Sequence, residues 1–282
     1  MKINVAQSAG FCFGVKNAVR SAEDASRDFG RVCSLGELIH NSGVVEGLRR
    51  LGVSVANDVK DIDADTVITR AHGASPKVFD ALRQKGVRVI DATCPFVKRI
   101  HVRAEKAAKE KQNIIVIGSK DHPEIVATMG WAGEKALLVD SVEEAQRIPQ
   151  MDSACVIGQT TYSVKKRDEI LSVLKNKIST MDVFDFICPT TAQRQHEAEE
   201  MAKNASLMII VGDKKSANTN KLFEAAKRYC ERTYLVSGAK EAQDIDVYET
   251  DDVCITAGAS TPPSDIAEVV MLIKDNVDIS IP

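Results

Sequence analysis

Three of the seven cysteines stand at one kind of boundary. Cys12 in "NVAQSAGFC", Cys94 in "VRVIDATC" and Cys188 in "DVFDFIC" each end an apolar or mixed run and open a helical pattern. Gly10 and Gly14 frame the first, and Pro95 and Pro189 follow the other two, so each thiol sits on a turn that can approach another group closely. Three thiolates at one point are costly unless they bind something. Zinc with a histidine as fourth ligand is one occupant, although structural zinc sites usually draw ligands in close pairs and no CxxC occurs. An iron–sulfur cluster is a second: with only three cysteines, one iron would keep an open position and act as a Lewis acid. Buried structural thiols are a third. Cys33, Cys155 and Cys254 lie inside short β-like runs and read as core, and Cys230 ends a helical stretch.

The spacing around these cysteines repeats. From Cys12 to Gly36, Cys94 to Gly118 and Cys188 to Gly212 the interval is 24 residues each time. Each interval runs through an alanine- and charge-rich helical pattern into an apolar run closed by glycine. Four residues past the glycines come His40, His122 and Ser216, and two further on Ser42, Glu124 and Asn218. A second apolar run in each repeat ends on a polar tip: His72 in "VITRAHG", Thr160 in "VIGQTT", Ser260 in "ITAGAS". His40, His72, Ser216, Asn218 and Ser260 supply hydrogen-bond donors without a GxxxxGKS phosphate loop, a set suited to a phosphate or diphosphate. Glu124 is the one acid among them. In "HPE" it sits beside His122, where a confined carboxyl can deliver protons, or where it simply complements a helix start. His101 and His196 fall inside helical patterns and read as structural or solvated.

The elements that must position these residues are strands alternating with helices, the pattern of parallel α/β units, whose ligands bind beyond the carboxyl ends of the strands. Three similar αβ modules are expected, over 12–93, 94–187 and 188–282. The first two end in a strand leading into the next cysteine, whereas the third ends in the helix "PPSDIAEVVMLIKDN" and the tail "VDISIP". The strand "KINVA" has no module before it. Residues 1–11 are therefore expected to complete the third sheet and close a pseudo-threefold arrangement with the cysteines at its centre.

Composition sets the surroundings. Hydrophobic content of 44% and charged content of 27% are those of a soluble globular protein, and a formal net charge of -3 gives no footprint for nucleic acid or an anionic membrane. The N-terminus lacks a signal-peptide core, and runs such as "IIVIG" are too short to span a bilayer, so a cytoplasmic protein is expected. A helical pattern over Lys98–Lys111 carries six cations and reads as a solvated face or a dock for an acidic partner.

Taken together, "GFCFGV", "ELIHN", "AHG", "DATCP", "HPE", "GQTT", "DFICPTT", "SANTN" and "TAGAS" resemble the LytB-type reductases of 4-hydroxy-3-methylbut-2-enyl diphosphate, over essentially the whole length. The resemblance implies a [4Fe–4S] cluster on Cys12, Cys94 and Cys188, at the centre of the three modules. It implies a diphosphate held through His40, His72 and His122 with Ser216, Asn218 and Ser260, and Asn41 beside the first histidine. It implies a proton relay through Glu124, and Thr160 ordering the substrate hydroxyl. Ala217 departs from members with a second serine there, which removes one donor. Reduction of the allylic diphosphate to isopentenyl and dimethylallyl diphosphates would draw electrons from a ferredoxin or flavodoxin, and a monomer is expected. The alternative from a different class is a zinc-stabilised phosphate-binding protein without turnover.

Overall fold

The computed structural model describes residues 1–278; the last four residues of the expected tail lie outside the described residues. In chain order the elements begin with β1 (Lys2–Val5), α1 (Phe13–Asp28), β2 (Val32–Leu35), α2 (Ser42–Arg50), β3 (Val53–Ala56), β4 (Thr66–Thr69), α3 (Pro76–Lys85) and β5 (Arg88–Ile90). There follow α4 (Pro95–Lys109), β6 (Ile114–Ile117), α5 (Pro123–Ala132), β7 (Leu137–Val139), α6 (Val142–Arg147), β8 (Met151–Gly158), α7 (Val164–Leu174) and β9 (Ile178–Val183). The last are α8 (Pro189–Asn204), β10 (Leu207–Val211), α9 (Ala217–Lys227), β11 (Thr233–Val236), α10 (Ala239–Ala242), β12 (Asp252–Ala257) and α11 (Pro263–Asp278).

The strands form three parallel four-stranded sheets, ordered β3-β2-β4-β5, β7-β6-β8-β9 and β11-β10-β12-β1. The protein is an α/β structure of three similar modules. In the third sheet the fourth strand is the N-terminal one: Ile3 pairs with Val253 and Val5 with Ile255. The chain groups into two compact units. One holds Met1–Val15, His40–Val44 and the chain from Pro189 onward, and carries the third sheet. The other holds Lys16–Ile39 and Val45–Cys188, and carries the first two.

Parallel strands are covered on both faces, so they read as continuous apolar runs, such as "IIVI" in β6 and "LMIIV" in β10. The third sheet shows how one run serves two layers. Leu207, Ile209 and Val211 turn to one face, packing with Ala242, Ile266, Val269 and Ile273 of α10 and α11. Met208 and Ile210 turn to the other, with Ala198 and Ala202 of α8 and Leu222 and Ala226 of α9. Each such aliphatic side chain, fully buried, contributes about 1.5–3 kcal/mol.

The repeating glycines close the strands. Gly36, Gly118 and Gly212 follow the inner strands β2, β6 and β10, and each donates its N–H to the outer neighbour, at Ala56 (2.7 Å), Val139 (3.0 Å) and Val236 (2.8 Å). Gly36 needs its positive φ of 77°. Gly118 is required for another reason, since a Cβ there would lie 2.4 Å from Ile125 Cδ1. Both demands select glycine at the same point of the repeat.

Candidate functional site

The three cysteines occupy one backbone position in three settings. The Cys12 N–H donates to Ala259 O beyond β12 (3.1 Å), the Cys94 N–H to Ala71 O beyond β4 (3.0 Å), and the Cys188 N–H to Thr160 O beyond β8 (3.0 Å). None of the seven cysteines is in a disulfide. Cys12, Cys94 and Cys188 are partly exposed, whereas Cys33, Cys155, Cys230 and Cys254 are buried. Burial pushes the Cys155 and Cys254 thiols up, which keeps them protonated. Cys33, Cys155 and Cys254 are buried as expected from the sequence, and Cys230, which the sequence left unassigned, is buried with them.

In the unit that carries the third sheet, helix starts and strand ends bear the polar set. Ser216 caps α9, its Oγ accepting from the Thr219 N–H (3.4 Å). Asn218 follows in the first turn, 4% exposed, and neither its Oδ1 nor its Nδ2 has a partner among the described residues. A buried amide left so costs about 1–3 kcal/mol, and in a functional protein that points to a ligand. Ser260 Oγ donates to His40 O (2.9 Å), tying the residue after β12 to the turn before α2. Asn41 Oδ1 accepts from the Val44 N–H (2.9 Å) and so caps the start of α2. The Cys12 turn is anchored from α8: Arg194, 3% exposed, donates to Gly10 O (2.6 Å) and Ala257 O (3.4 Å). One turn along, Glu197 accepts from the Gln7 and Ser8 N–H groups (2.8 and 3.1 Å) and from the Ser8 hydroxyl.

In the other unit the acid Glu124 is buried, with His122 beside it partly exposed. Pro123 begins α5, and His122 caps it, its Nδ1 accepting from the Glu124 N–H (3.3 Å). With Nδ1 an acceptor, the neutral His122 ring carries its proton on Nε2. Glu124 is 1% exposed, and Thr160 meets both its oxygens: the backbone N–H at Oε1 (2.6 Å) and the hydroxyl at Oε2 (2.9 Å). Burial raises the Glu124 carboxyl to about 7, the two bonds from Thr160 pulling the other way. An acid that titrates near neutrality can hold a proton and release it. His72 faces His122 edge to ring, centroids 5.3 Å apart at 84°.

Several contributors escape a sequence reading. Arg194 lies in a stretch that looks solvated, yet is 3% exposed, and of the two readings open for His101 the structural one holds, at 4% exposed. Gln159, 1% exposed, accepts from the Ser119 N–H (3.1 Å) and donates to Thr161 Oγ1 (2.9 Å), stiffening the turn that ends in Thr160. The doubled Gln-Thr-Thr after a strand is the only hint of it. The basic stretch differs from expectation in extent: α4 runs Pro95–Lys109, and Lys111 lies beyond it at φ 56°. Four of the stretch's six cations meet carboxylates within the chain, Lys98 at Asp91 (2.8 Å), Lys109 at Glu105 (2.7 Å), Lys106 at Glu110 (3.8 Å) and Arg103 at Asp182, and Arg99 lies over the Phe184 ring. The helix therefore presents paired charges, as a solvated face does. No described helix is long and apolar enough to cross a membrane.

Parallel sheets with polar side chains at strand ends and helix starts define an α/β protein with ligand-binding groups beyond its strands. The chain belongs to the LytB family: the family model described as LytB protein matches residues 3–274. The chain is 41% identical over 279 residues to 4-hydroxy-3-methylbut-2-enyl diphosphate reductase of Caldanaerobacter subterraneus subsp. tengcongensis, with 97% of each chain covered. To the reductase of the same name from Syntrophotalea carbinolica it is 38% identical over 276 residues, covering 98% of this chain and 99% of that one. Among solved structures, the E-1-hydroxy-2-methyl-but-2-enyl-4-diphosphate reductase from Plasmodium falciparum superposes with a TM-score of 0.90 at 28% identity, covering 96% of this chain and 87% of that one. A structure of (E)-4-hydroxy-3-methyl-but-2-enyl diphosphate reductase, described as the terminal enzyme of the non-mevalonate pathway, superposes with a TM-score of 0.70 at 34% identity, covering 97% and 99%. The protein is thus a member of a family of reductases.

Proposed function

We propose that the chain carries out the reaction for which its relatives are named: two electrons and two protons remove the hydroxyl of 4-hydroxy-3-methylbut-2-enyl diphosphate as water, leaving isopentenyl and dimethylallyl diphosphates. The reaction ends the non-mevalonate route to isoprenoids and takes place here in the cytoplasm, on a monomer of three modules over 12–93, 94–187 and 188–282, the third completed by residues 1–11. Cys12, Cys94 and Cys188 are the residues that would hold a [4Fe–4S] cluster. Their fit is supported by chemistry and exposure: they are soft sulfur donors outside any disulfide, partly open, on turns with equivalent backbone anchors, while the other four are buried. Bound there, such a cluster supplies electrons one at a time and an iron open to an oxygen donor.

The chain's own residues do the rest. Asn218, with Ser216 at the head of α9, receives the diphosphate, where the helix N-terminus favours negative charge. Ser260, His40, Asn41, His72 and His122 complete the donor set. Thr160 orders the hydroxyl that leaves, and Glu124 delivers the proton that turns it into water. The single observation that carries this assignment is the doubly bonded, enclosed Glu124 carboxyl, held near neutrality next to the Thr160 hydroxyl. Protonation at either end of the remaining three-carbon system gives the two products. Single electrons call for a one-electron partner such as a ferredoxin or flavodoxin.

The test is product analysis on anaerobically reconstituted protein given the allylic diphosphate and a chemical one-electron reductant. Both product diphosphates are expected from a brown protein. A colourless, zinc-loaded protein that binds the diphosphate and returns it unchanged would establish the binding-protein alternative.

A further inference from the structure

The segment that carries His72 is held from two helices by residues outside the donor set. Trp131, near the end of α5, donates its Nε1–H to Ala74 O (2.9 Å). Its indole stacks on the His101 ring of α4, with centroids 5.7 Å apart and planes at 20°. Gly73 lies directly against that imidazole: a Cβ there would be 2.4 Å from His101 Cε1 and 3.2 Å from Thr93 Cγ2, and its φ of +81° already favours glycine. Ser75 presses on α5 in the same way, since a Cβ on Gly130 would lie 2.5 Å from Ser75 Cβ. Ala71 O is occupied by the Cys94 N–H (3.0 Å). Every residue flanking His72 from 71 to 75 therefore touches α4, α5 or the turn ahead of α4. The same α5 begins with His122 and Glu124, and the same α4 begins just after Cys94.

We propose that Trp131 and His101 are positioning residues that set His72 against His122, so that the donor pair meets the diphosphate in one geometry. The proposal rests on the assignment of His72 to the diphosphate made above. The indole contributes in two ways: its N–H fixes the height of the loop through Ala74, and its ring braces His101, whose edge is the surface on which Gly73 rests. His101 acts as a shape. Its Nε2 has no partner among the described residues, and burial lowers it to about 4, so the ring is neutral and offers Gly73 an uncharged flank. With no hydrogen bond made by Nε2 among the described residues, the ring acts on Gly73 through its shape.

The experiment measures KM and kcat for the allylic diphosphate, iron content and melting temperature on the reconstituted enzyme. Trp131→Phe keeps the ring and removes the donor. The expected result is KM raised roughly 5–20-fold, with kcat within about twofold and iron content and melting temperature nearly unchanged, as loss of uniform binding requires. His101→Phe, which keeps a flat ring under Gly73, should stay close to the parent, whereas His101→Ala should raise KM at least as much as Trp131→Phe. Gly130→Ala, which pushes Ser75 from the other side, provides a second displacement should Trp131→Phe fold poorly, and should raise KM in the same way. The decisive readout is the pair Trp131→Phe with His72→Asn: if Trp131 acts through His72, its effect on KM disappears once His72 is gone. An unchanged KM in Trp131→Phe and Gly130→Ala, or effects that simply multiply in the pair, would overturn the proposal. An unchanged KM in His72→Asn alone would instead remove the assignment of His72 itself, and the proposal with it.

Discussion

Thr160 binds both oxygens of Glu124, one through its backbone N–H at 2.6 Å and the other through its hydroxyl at 2.9 Å. The pair is sealed, with Glu124 1% and Thr160 5% exposed. A carboxylate in such a place would be stabilised by these bonds, yet burial outweighs them and raises the group to about 7. Thr160 therefore does two things: it orients the acid and stands between it and whatever hydroxyl lies beyond.

Glu124→Gln keeps size and one acceptor but cannot relay a proton. Turnover is expected to fall roughly 10²–10⁴-fold. Substrate binding and iron content should stay near the parent's. The stability of the same variant checks the burial. Below pH 4.5 the carboxyl is protonated in both folded and unfolded chains, so burial makes no difference to the pH dependence. Between about 4.5 and 7 the unfolded chain has released a proton that the folded site retains, so the parent loses stability as pH rises, and above 7 the loss is complete. Glu124→Gln lacks this slope. Denaturant melts at pH 4.5 and pH 8 should show the variant gaining on the parent by on the order of 1–3 kcal/mol. Parallel behaviour at both pH values would mean that folding does not raise the Glu124 carboxyl above its ordinary value.

The cysteines separate by exposure, and their serine variants should separate by phenotype. Cys12→Ser, Cys94→Ser and Cys188→Ser are each expected to lose most of the iron and the brown colour while the protein still folds. Cys33→Ser, Cys155→Ser and Cys254→Ser bury a hydroxyl in the core and should cost about 1–3 kcal/mol, with iron retained. Iron analysis beside thermal melts distinguishes the two sets. Full iron in Cys94→Ser would remove it from the ligand assignment.

Asn218 is a buried amide awaiting partners. Asn218→Ala removes the unsatisfied group, so the free protein should be as stable as the parent or slightly more so, by up to about 1 kcal/mol. Affinity for the allylic diphosphate should drop about 10–100-fold, because charge-assisted hydrogen bonds to phosphate are among the stronger ones. Calorimetric binding and melts on the same samples give both numbers. A large loss of stability without loss of affinity would make Asn218 a packing residue.

The three sheets are legible in the sequence because the inner strands are apolar runs, interrupted only by Ser34 in β2, each closed by a glycine whose backbone or packing accepts nothing larger. The polar tips follow from the same repeat, since a residue just past a parallel strand lies at its carboxyl end. The outer strands β3, β7 and β11 are harder to see, being three or four residues long and partly exposed. The supports of the candidate site are harder still. Arg194 and His101 occupy helices rich in alanine and charge, Trp131 a short and largely apolar one, and what makes them matter is a carbonyl or a glycine far away in the chain. Helical periodicity says which face is buried, but not that a cation or an imidazole belongs on it.

The N-terminal strand provides the last prediction. β1 lies at the edge of the third sheet beside β12, and its backbone continues the ladder at both ends: the Lys2 N–H donates to Asp251 O (3.1 Å) and the Ala6 N–H to Ile255 O (2.8 Å). Ile3 packs against the cluster formed by β10, β12 and α11, whereas Val5 is 43% exposed, as an edge strand allows. From β1 the chain runs through Gln7 and Ser8, gripped by Glu197, and Gly10, gripped by Arg194, to Cys12. The strand and the clasp are thus successive anchors of one thiol. Deleting residues 1–5 should cost on the order of 2–4 kcal/mol from the lost Ile3 packing and ladder bonds. It should also leave Cys12 held by the α8 contacts and its own N–H bond to Ala259 O, without the strand. Glu197→Gln, with the strand intact, weakens the second anchor alone. Iron retention under chelator challenge should therefore fall in both variants, but the melting temperature should fall far more in the deletion. If the deletion melts early yet keeps its iron as tightly as the parent, the strand supports the sheet and not the cysteine.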